Sequence, residues 1–132
     1  MFDPQAFIAL SYTLSEAGRS EAEYRTAISR ALYGVFLWAR EELHARGEHV
    51  KLVDESEKPQ EHSRVREKFK RGKFRHDGVS QRLGALYKSR YRSDYDLEII
   101  VQRSEVLQVL EYVDYIRDRF TNRLFINPTH NS

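Results

Sequence analysis

The feature of this sequence that most restricts its fold is a long run of apolar residues, spaced by three and four, between Ser20 and Gly47. This spacing places them on one face of an α-helix. Ser20 and Glu23 have the form of a capping box, and glycine commonly ends helices, so we predict a helix from Ser20 towards Arg46. We expect Gly34 to permit the close approach of a neighbouring helix. The expected buried stripe consists of Tyr24, Ala27, Ile28, Ala31, Leu32, Val35, Phe36, Trp38, Ala39 and Leu43.

Helical signals continue through most of the remaining sequence. The further predicted helices run from Asp3-Pro4 to Ala17, from Glu61 to Lys70, from Val79 to about Tyr95, and from a cap at Ser104 to Asn127-Pro128. We interpret residues 48–60 as a loop and 71–78 as a basic connector, whereas 96–103 fits either extended or helical structure. No pair of strands with a hairpin turn is visible. The sequence therefore predicts an all-α, up-and-down bundle of four or five helices.

Length and composition limit the class of protein. We expect the 132 residues to form one domain, with a core at about 3–125 and a flexible tail at 126–132. Cysteine is absent, which excludes disulfides and thiolate chemistry. No apolar run approaches the about 20 residues of a membrane span, and the first residues do not resemble a signal peptide, so we expect a cytoplasmic protein without membrane contact. His44 and His49 are weak metal-ligand candidates, and we predict no metal and no cofactor.

Positive charge is concentrated between residues 64 and 92, which hold eleven Lys or Arg and two acidic residues. The net charge of this segment is +9, against −7 for the remainder and +2 for the whole chain. Such a segment is typical of a surface that contacts a polyanion, although a solvated loop that balances acidic helices has the same composition. The candidate nucleic-acid or phosphate-binding residues are Arg64, Lys68, Arg71, Lys73, Arg75 and Arg92.

A cation lies on the predicted inward stripe of the helix that begins near Val79. Steps of three and four along this helix connect Val79, Leu83, Leu86, Tyr87, Arg90 and Asp94. An inward cation and anion four residues apart are costly unless they pair. We therefore expect Arg90 to pair with Asp94 or with an acid on another helix. Such a pair would either lock the structure or form part of a site.

Three segments, taken in order, resemble the HEPN-domain family, and in particular its small bacterial and archaeal HEPN-like branch. Tyr24–Phe36 is similar to the helix YRxAxSRAYYxxF, His62 lies near the start of the next helix, and Arg90–Leu97 matches RxxxDYDL. The resemblance covers about residues 3–125. It implies a HEPN bundle that forms a homodimer, with the basic segment lining the cleft between protomers.

The same resemblance implies a function. HEPN proteins often serve as toxins paired with a minimal nucleotidyltransferase antitoxin, and many are metal-independent ribonucleases with an Arg-x4–6-His motif. This chain departs from that motif, because the positions where the His would follow Arg90 hold Tyr95, Asp96 and Leu97. Two literal matches occur elsewhere, Arg71 with His76 and Arg123 with His130, and so loose a pattern arises by chance.

Four residues are the candidates for a catalytic role. Arg90 would bind phosphate or stabilise a transition state, and Asp94 would orient it. His62 or Tyr95 would handle protons, and Tyr95 is equally suited to stack a base. One hypothesis is a toxin-like RNA-binding protein, with endoribonuclease activity centred on Arg90. The alternatives are a non-catalytic module that binds a nucleotide or a partner nucleotidyltransferase, and a purely structural dimer.

Overall fold

The protein is described here by a computed structural model that covers residues 1–50 and 61–123. Within these ranges all regular structure is helical and no strand occurs, which confirms the prediction of an all-α bundle. The five α-helices are α1 (Gln5–Ala17), α2 (Glu21–Ala45), α3 (Glu61–Arg71), α4 (Asp77–Tyr95) and α5 (Arg103–Asp118), and a π-helical turn, Arg119–Arg123, follows α5. No helix in the described ranges is long and apolar enough to cross a membrane.

The central element of the bundle is α2, which contacts each of the other four helices. Its start follows the predicted capping box, since the Ser20 side chain accepts a hydrogen bond from the Glu23 backbone N–H. The residues buried on its apolar stripe are Ala27, Ile28, Ala31, Leu32, Val35, Phe36, Ala39 and Leu43. Tyr24 and Trp38, also predicted on the stripe, are half-buried and pack against this core.

Helices α1 and α2 approach each other closely at Gly34. A Cβ atom at this position would lie 2.7 Å from Ile8 Cγ1 and 3.0 Å from the Pro4 carbonyl oxygen. Because the second of these atoms belongs to the backbone, it cannot move aside as a side-chain end would. The expectation that Gly34 permits close helix packing is confirmed.

Several helix ends differ from those predicted. The side chain of His76 caps α4 by accepting a hydrogen bond from the Val79 N–H (3.2 Å), so this helix begins at Asp77 rather than Val79. The N-cap of α5 is Gln102 rather than Ser104. Residues 96–102 are not helical.

The last predicted helix does not continue regularly to Asn127-Pro128. Its α-helical part ends at Asp118, and the turn that follows keeps Phe120 buried against the core. The predicted end of the helix and the predicted tail lie outside the described residues, as do positions 51–60 of the predicted loop.

We expect Gly34→Ala to lower the free energy of unfolding by about 1–2 kcal/mol, because the overpacking cost at Ile8 and Pro4 exceeds the gain of about 1 kcal/mol in helix propensity. Urea unfolding followed by circular dichroism measures the change. Thr26→Ala, at an exposed position of the same helix, serves as the control and should change stability by less than about 0.5 kcal/mol. A stabilised Gly34→Ala protein would contradict the packing.

Candidate functional site

Arg90 lies on α4 with its side chain 16% exposed, so the predicted inward cation is present. Its Nε lies 3.0 Å from Asp94 Oδ2, one helical turn further on, which confirms the predicted pairing. The Nε–H makes no hydrogen bond within the described residues, so the contact with Asp94 is ionic rather than directional. The guanidinium also donates a hydrogen bond from Nη2 to the Tyr33 hydroxyl at 2.8 Å.

Two residues of α2 complete this polar network. The Ser29 hydroxyl donates to Asp94 Oδ2 at 3.3 Å, while Tyr33, four residues later on the same face of α2, accepts from Arg90. Ser29 and Tyr33 lie on one face of α2, which is packed on both sides. They therefore hold the side chains of Asp94 and Arg90 in place relative to the core. The Tyr24–Phe36 segment of α2 and the Arg90–Leu97 segment therefore contact each other at this network.

His62 is packed among aromatic rings at the start of α3. Its ring stacks on Phe36 with centroids 3.9 Å apart, and it lies 5.2 Å from Tyr87 and 6.3 Å from Tyr33. Burial, together with the positive charge of Arg90, lowers the pKa of His62 to about 4. The imidazole is therefore neutral at physiological pH, which differs from the titration near pH 6.5 that suited it to acid–base work.

The outer side of α4 carries three tyrosines at intervals of four residues. Tyr87, Tyr91 and Tyr95 are 37%, 55% and 59% exposed, and we refer to them together as the tyrosine face. The rings of Tyr91 and Tyr95 are 5.0 Å apart, and the Arg90 guanidinium carbon lies 5.6 Å from the centre of the Tyr95 ring. Tyr95 thus lies beside Arg90, and its ring stays accessible.

The predicted phosphate-binding residues are not equally available. Three of them form ion pairs with carboxylates: Lys68 with Glu48 (3.1 Å), Arg71 with Glu67 (2.9 Å) and Arg75 with Asp77 (3.1 Å). Arg75 holds the pKa of the Asp77 carboxyl below its usual range.

Of the other three predicted phosphate-binding residues, Lys73 lies 5.9 Å from the ring of Phe74 and Arg64 is half-buried. The Arg92 side chain is exposed on α4, beside the tyrosine face. Glu67 and Asp77 are already subtracted in the net charge of +9, so among the ion pairs of the described residues only Glu48 with Lys68 and Asp94 with Arg90 balance further positive charge of the segment.

Arg25 has a structural role that the sequence did not specify. Its guanidinium donates to the backbone carbonyls of Arg92 (3.5 Å), Ser93 (2.8 Å), Asp96 (3.0 Å) and Ile99 (2.8 Å), and its Nε pairs with Glu21 at 3.0 Å. A spacing of four residues on a helix favours the pairing with Glu21. The four carbonyl contacts have no such signal, because backbone acceptors do not depend on the residue type.

No group of three or more His, Asp or Glu side chains in the described ranges is arranged to hold a metal ion. His44 and His49 have ring centroids 5.1 Å apart, but His44 Nε2 accepts a hydrogen bond from the Val50 N–H. The literal match of Arg71 with His76 is not a catalytic pair, since Arg71 pairs with Glu67 and His76 caps α4. The match of Arg123 with His130 extends outside the described residues.

Comparison with known proteins adds no assignment. No model of a known protein family matches this chain, and no curated protein is similar enough to count as a relative. The chemistry of the site is therefore read from its own residues. They offer a fixed guanidinium, a neutral imidazole, a tyrosine hydroxyl and exposed aromatic rings, a set suited to binding a phosphate next to a planar base.

We expect stability to fall as the pH is lowered from about 6.5 to about 4, because the unfolded chain takes up a proton at His62 that the folded chain excludes. The loss should be about 2 kcal/mol, less than the full linkage value because the ring is partly exposed. Urea unfolding of the wild type and of His62→Gln across this range measures it. Since His76 also has a lowered pKa, only the difference between the two proteins reports on His62. Equal pH dependence would contradict the assignment.

Proposed function

We propose that this chain is a HEPN-like helical bundle that binds single-stranded RNA at Arg90 and the tyrosine face. The observation that carries the proposal is the position of Arg90, half-buried and held by Asp94 and Tyr33 beside the exposed rings of Tyr91 and Tyr95. A guanidinium in a fixed orientation binds phosphate oxygens through paired hydrogen bonds, and exposed aromatic rings stack unpaired bases. A cytoplasmic location would suit such a ligand.

The HEPN-like part of the proposal is supported by where the resembling segments lie. The Tyr24–Phe36 segment contributes Tyr33 and Ser29, the start of α3 contributes His62, and Arg90–Leu97 contributes Arg90 and Asp94. Segments far apart in the sequence thus meet around one guanidinium. A chance resemblance in three helices would give no reason for them to meet at one point.

The geometry supports binding better than cleavage. Metal-independent cleavage by the ribose 2′-hydroxyl needs a base and an acid whose pKa values lie near the working pH. His62, with a pKa of about 4, holds almost no proton to donate at neutral pH and is a weak base. Asp94 is paired with Arg90 and hydrogen-bonded by Ser29. An endoribonuclease of a toxin–antitoxin pair is therefore the second candidate, with Arg90 as its cation.

A homodimer is part of the proposal, and an exposed apolar tip supports it. Leu97 and Ile100, 84% and 72% exposed, project from the segment that Arg25 holds in place. Basic residues precede this tip on α4 and acidic residues lie within it, so two copies related by a two-fold axis would place opposite charges together. A nucleotidyltransferase partner stays an expectation from the resemblance.

We expect the purified protein to bind a labelled single-stranded RNA, and Tyr91→Ala or Tyr95→Ala to weaken binding by about 1–3 kcal/mol through loss of stacking. Fluorescence anisotropy over a range of salt concentrations measures affinity. Tyr91→Phe is the matched control and should bind as the wild type does, because the ring is kept. Arg92→Gln should reduce the slope of log affinity against log salt by about one.

A parallel incubation with RNA in EDTA separates binding from cleavage. Binding without cleavage is the expected result. Cleavage by the wild type but not by folded Arg90→Ala would establish the ribonuclease instead and overturn the binding-only conclusion. If neither binding nor cleavage occurs at low salt, the structural dimer becomes the better account.

We expect Leu97→Asp combined with Ile100→Asp to yield a monomer where the wild type is a dimer, because the change buries two carboxylates in the proposed interface. Analytical ultracentrifugation measures the mass of both proteins. Because both positions are exposed, the substitutions should leave the fold intact, and circular dichroism checks this. A monomeric wild type, or a variant that remains dimeric, would show that this tip is not the interface.

A further inference from the structure

A small cleft between α3 and α4 lies next to Arg90 and has no assigned ligand. Its enclosed volume is about 80 Å³. Leu32, Val65 and Leu83 supply apolar lining, and His62, Arg66 and Tyr87 supply polar and aromatic groups. A volume of this size accepts the edge of a planar ring rather than a whole base, with the remainder of the ring lying over the open side of the cleft.

The aromatic lining of the cleft is flat and carries no charge. The rings of Phe36 and His62 are inclined by only 21° to each other, and Tyr87 lies 5.2 Å from His62. Tyr87 is 37% exposed, so part of its surface is reachable from solvent. Since His62 is neutral at physiological pH, the lining does not repel the partial charges on the edge of a base.

Arg66 provides a cation at one end of the cleft. Its guanidinium lies directly over Gly84, where a Cβ atom would come within 2.8 Å of the guanidinium carbon. The side chain forms no ion pair and no hydrogen bond with any residue in the described ranges, unlike Arg71 on the same helix. A positive charge that lies against the protein and has no ion pair among residues 1–50 and 61–123 is available to an anionic ligand.

The second cation, Arg90, lies beyond the His62 end of the cleft, close enough for its charge to contribute to the lowered pKa of His62. On α3, His62 contacts Tyr87 of α4, and Arg66, one turn later, contacts Gly84, which precedes Tyr87 on α4. The two helices therefore run in opposite directions here. Gly84 and Arg90 are six residues apart on α4, a rise of about 9 Å. The aromatic lining therefore lies between two guanidinium groups.

We propose that this cleft is a nucleotide subsite, in which the edge of one base lies at the mouth of the cleft against His62 and Tyr87 while the phosphates on either side of its ribose contact Arg66 and Arg90. The inference rests on the proposed RNA-binding function and deepens it. It assigns one nucleotide of the bound strand to the cleft, whereas other bases of the strand stack on Tyr91 and Tyr95. The ligand chemistry is a purine or pyrimidine nucleotide with a phosphate on each side.

The test uses a short single-stranded RNA with one fluorescent purine analogue whose emission is quenched by stacking. The full chain should quench the probe, and Arg66→Met and Tyr87→Ala should reduce the quenching at saturating protein several-fold. Lys70→Met, which removes an exposed cation one turn further along α3, is the matched control and should leave quenching intact. Gly84→Ala displaces only the flexible end of Arg66, so it gives a second variant that keeps every charge.

The outcomes separate this inference from the proposed function. If anisotropy shows RNA binding but no variant alters the quenching, or Lys70→Met alters it as much as Arg66→Met, the subsite is wrong and the RNA-binding function stands. If no RNA binds, both fail. Competition identifies the source of the ligand: a nucleoside bisphosphate with one phosphate on each side of the ribose should displace the probe at least ten-fold better than the monophosphate. Equal displacement would overturn the two-cation arrangement.

Discussion

Arg25 satisfies the backbone where α4 ends, and the position of the site depends on this contact. The last turn of a helix leaves carbonyl oxygens without intrahelical partners, and two of the four carbonyls that accept from Arg25, those of Arg92 and Ser93, lie within that last turn. Hydrogen bonds from a charged donor contribute about 1.5–3 kcal/mol each. Because Arg25 itself belongs to the central helix, the end of α4 is fixed to the most buried element of the bundle. Asp94 and Tyr95, next to Ser93 in the chain, are placed by the same contact.

The fixed end of α4 lowers the free-energy cost of holding the Arg90–Asp94 pair in a half-buried position. An ion pair removed from water gains little unless its remaining donors and acceptors are also satisfied. Tyr33 and Ser29 meet part of this requirement from α2, one at each charged partner, whereas the Arg90 Nε–H makes no hydrogen bond among the described residues. The positive charge of Arg90 then acts on His62, whose protonation would place a second cation in a poorly solvated region. Burial is the main cause of the lowered pKa of His62, and the Arg90 guanidinium, which also orients the site, adds to it; a neutral imidazole favours ligand binding over proton transfer.

Features that depend on neighbours in the sequence were predictable, and those that depend on tertiary contacts were not. The capping box at Ser20, the buried stripe of α2 and the pairing of Arg90 with Asp94 all follow from spacings of three or four residues. The capping of α4 by His76 was missed because histidine is an uncommon cap. The neutral state of His62 results from burial against Phe36 and the charge of Arg90, which only the assembled helices create.

The distribution of charge shows why counting basic residues misleads in this chain. Glu48, Glu67 and Asp77 neutralise three of the predicted phosphate ligands, and one of these pairs joins residues twenty positions apart. The cations without an ion pair among the described residues include Arg66 and Arg92, which flank aromatic rings on α4 rather than forming a continuous basic stripe. A ligand held at such a surface gains more from stacking than from the release of counterions. Since Glu48 and Asp94, both outside the basic segment, also pair with two of its cations, the affinity should depend less on salt than the segment's net charge of +9 suggests. A double-stranded ligand, whose bases are already stacked on each other, would gain little from the tyrosine face.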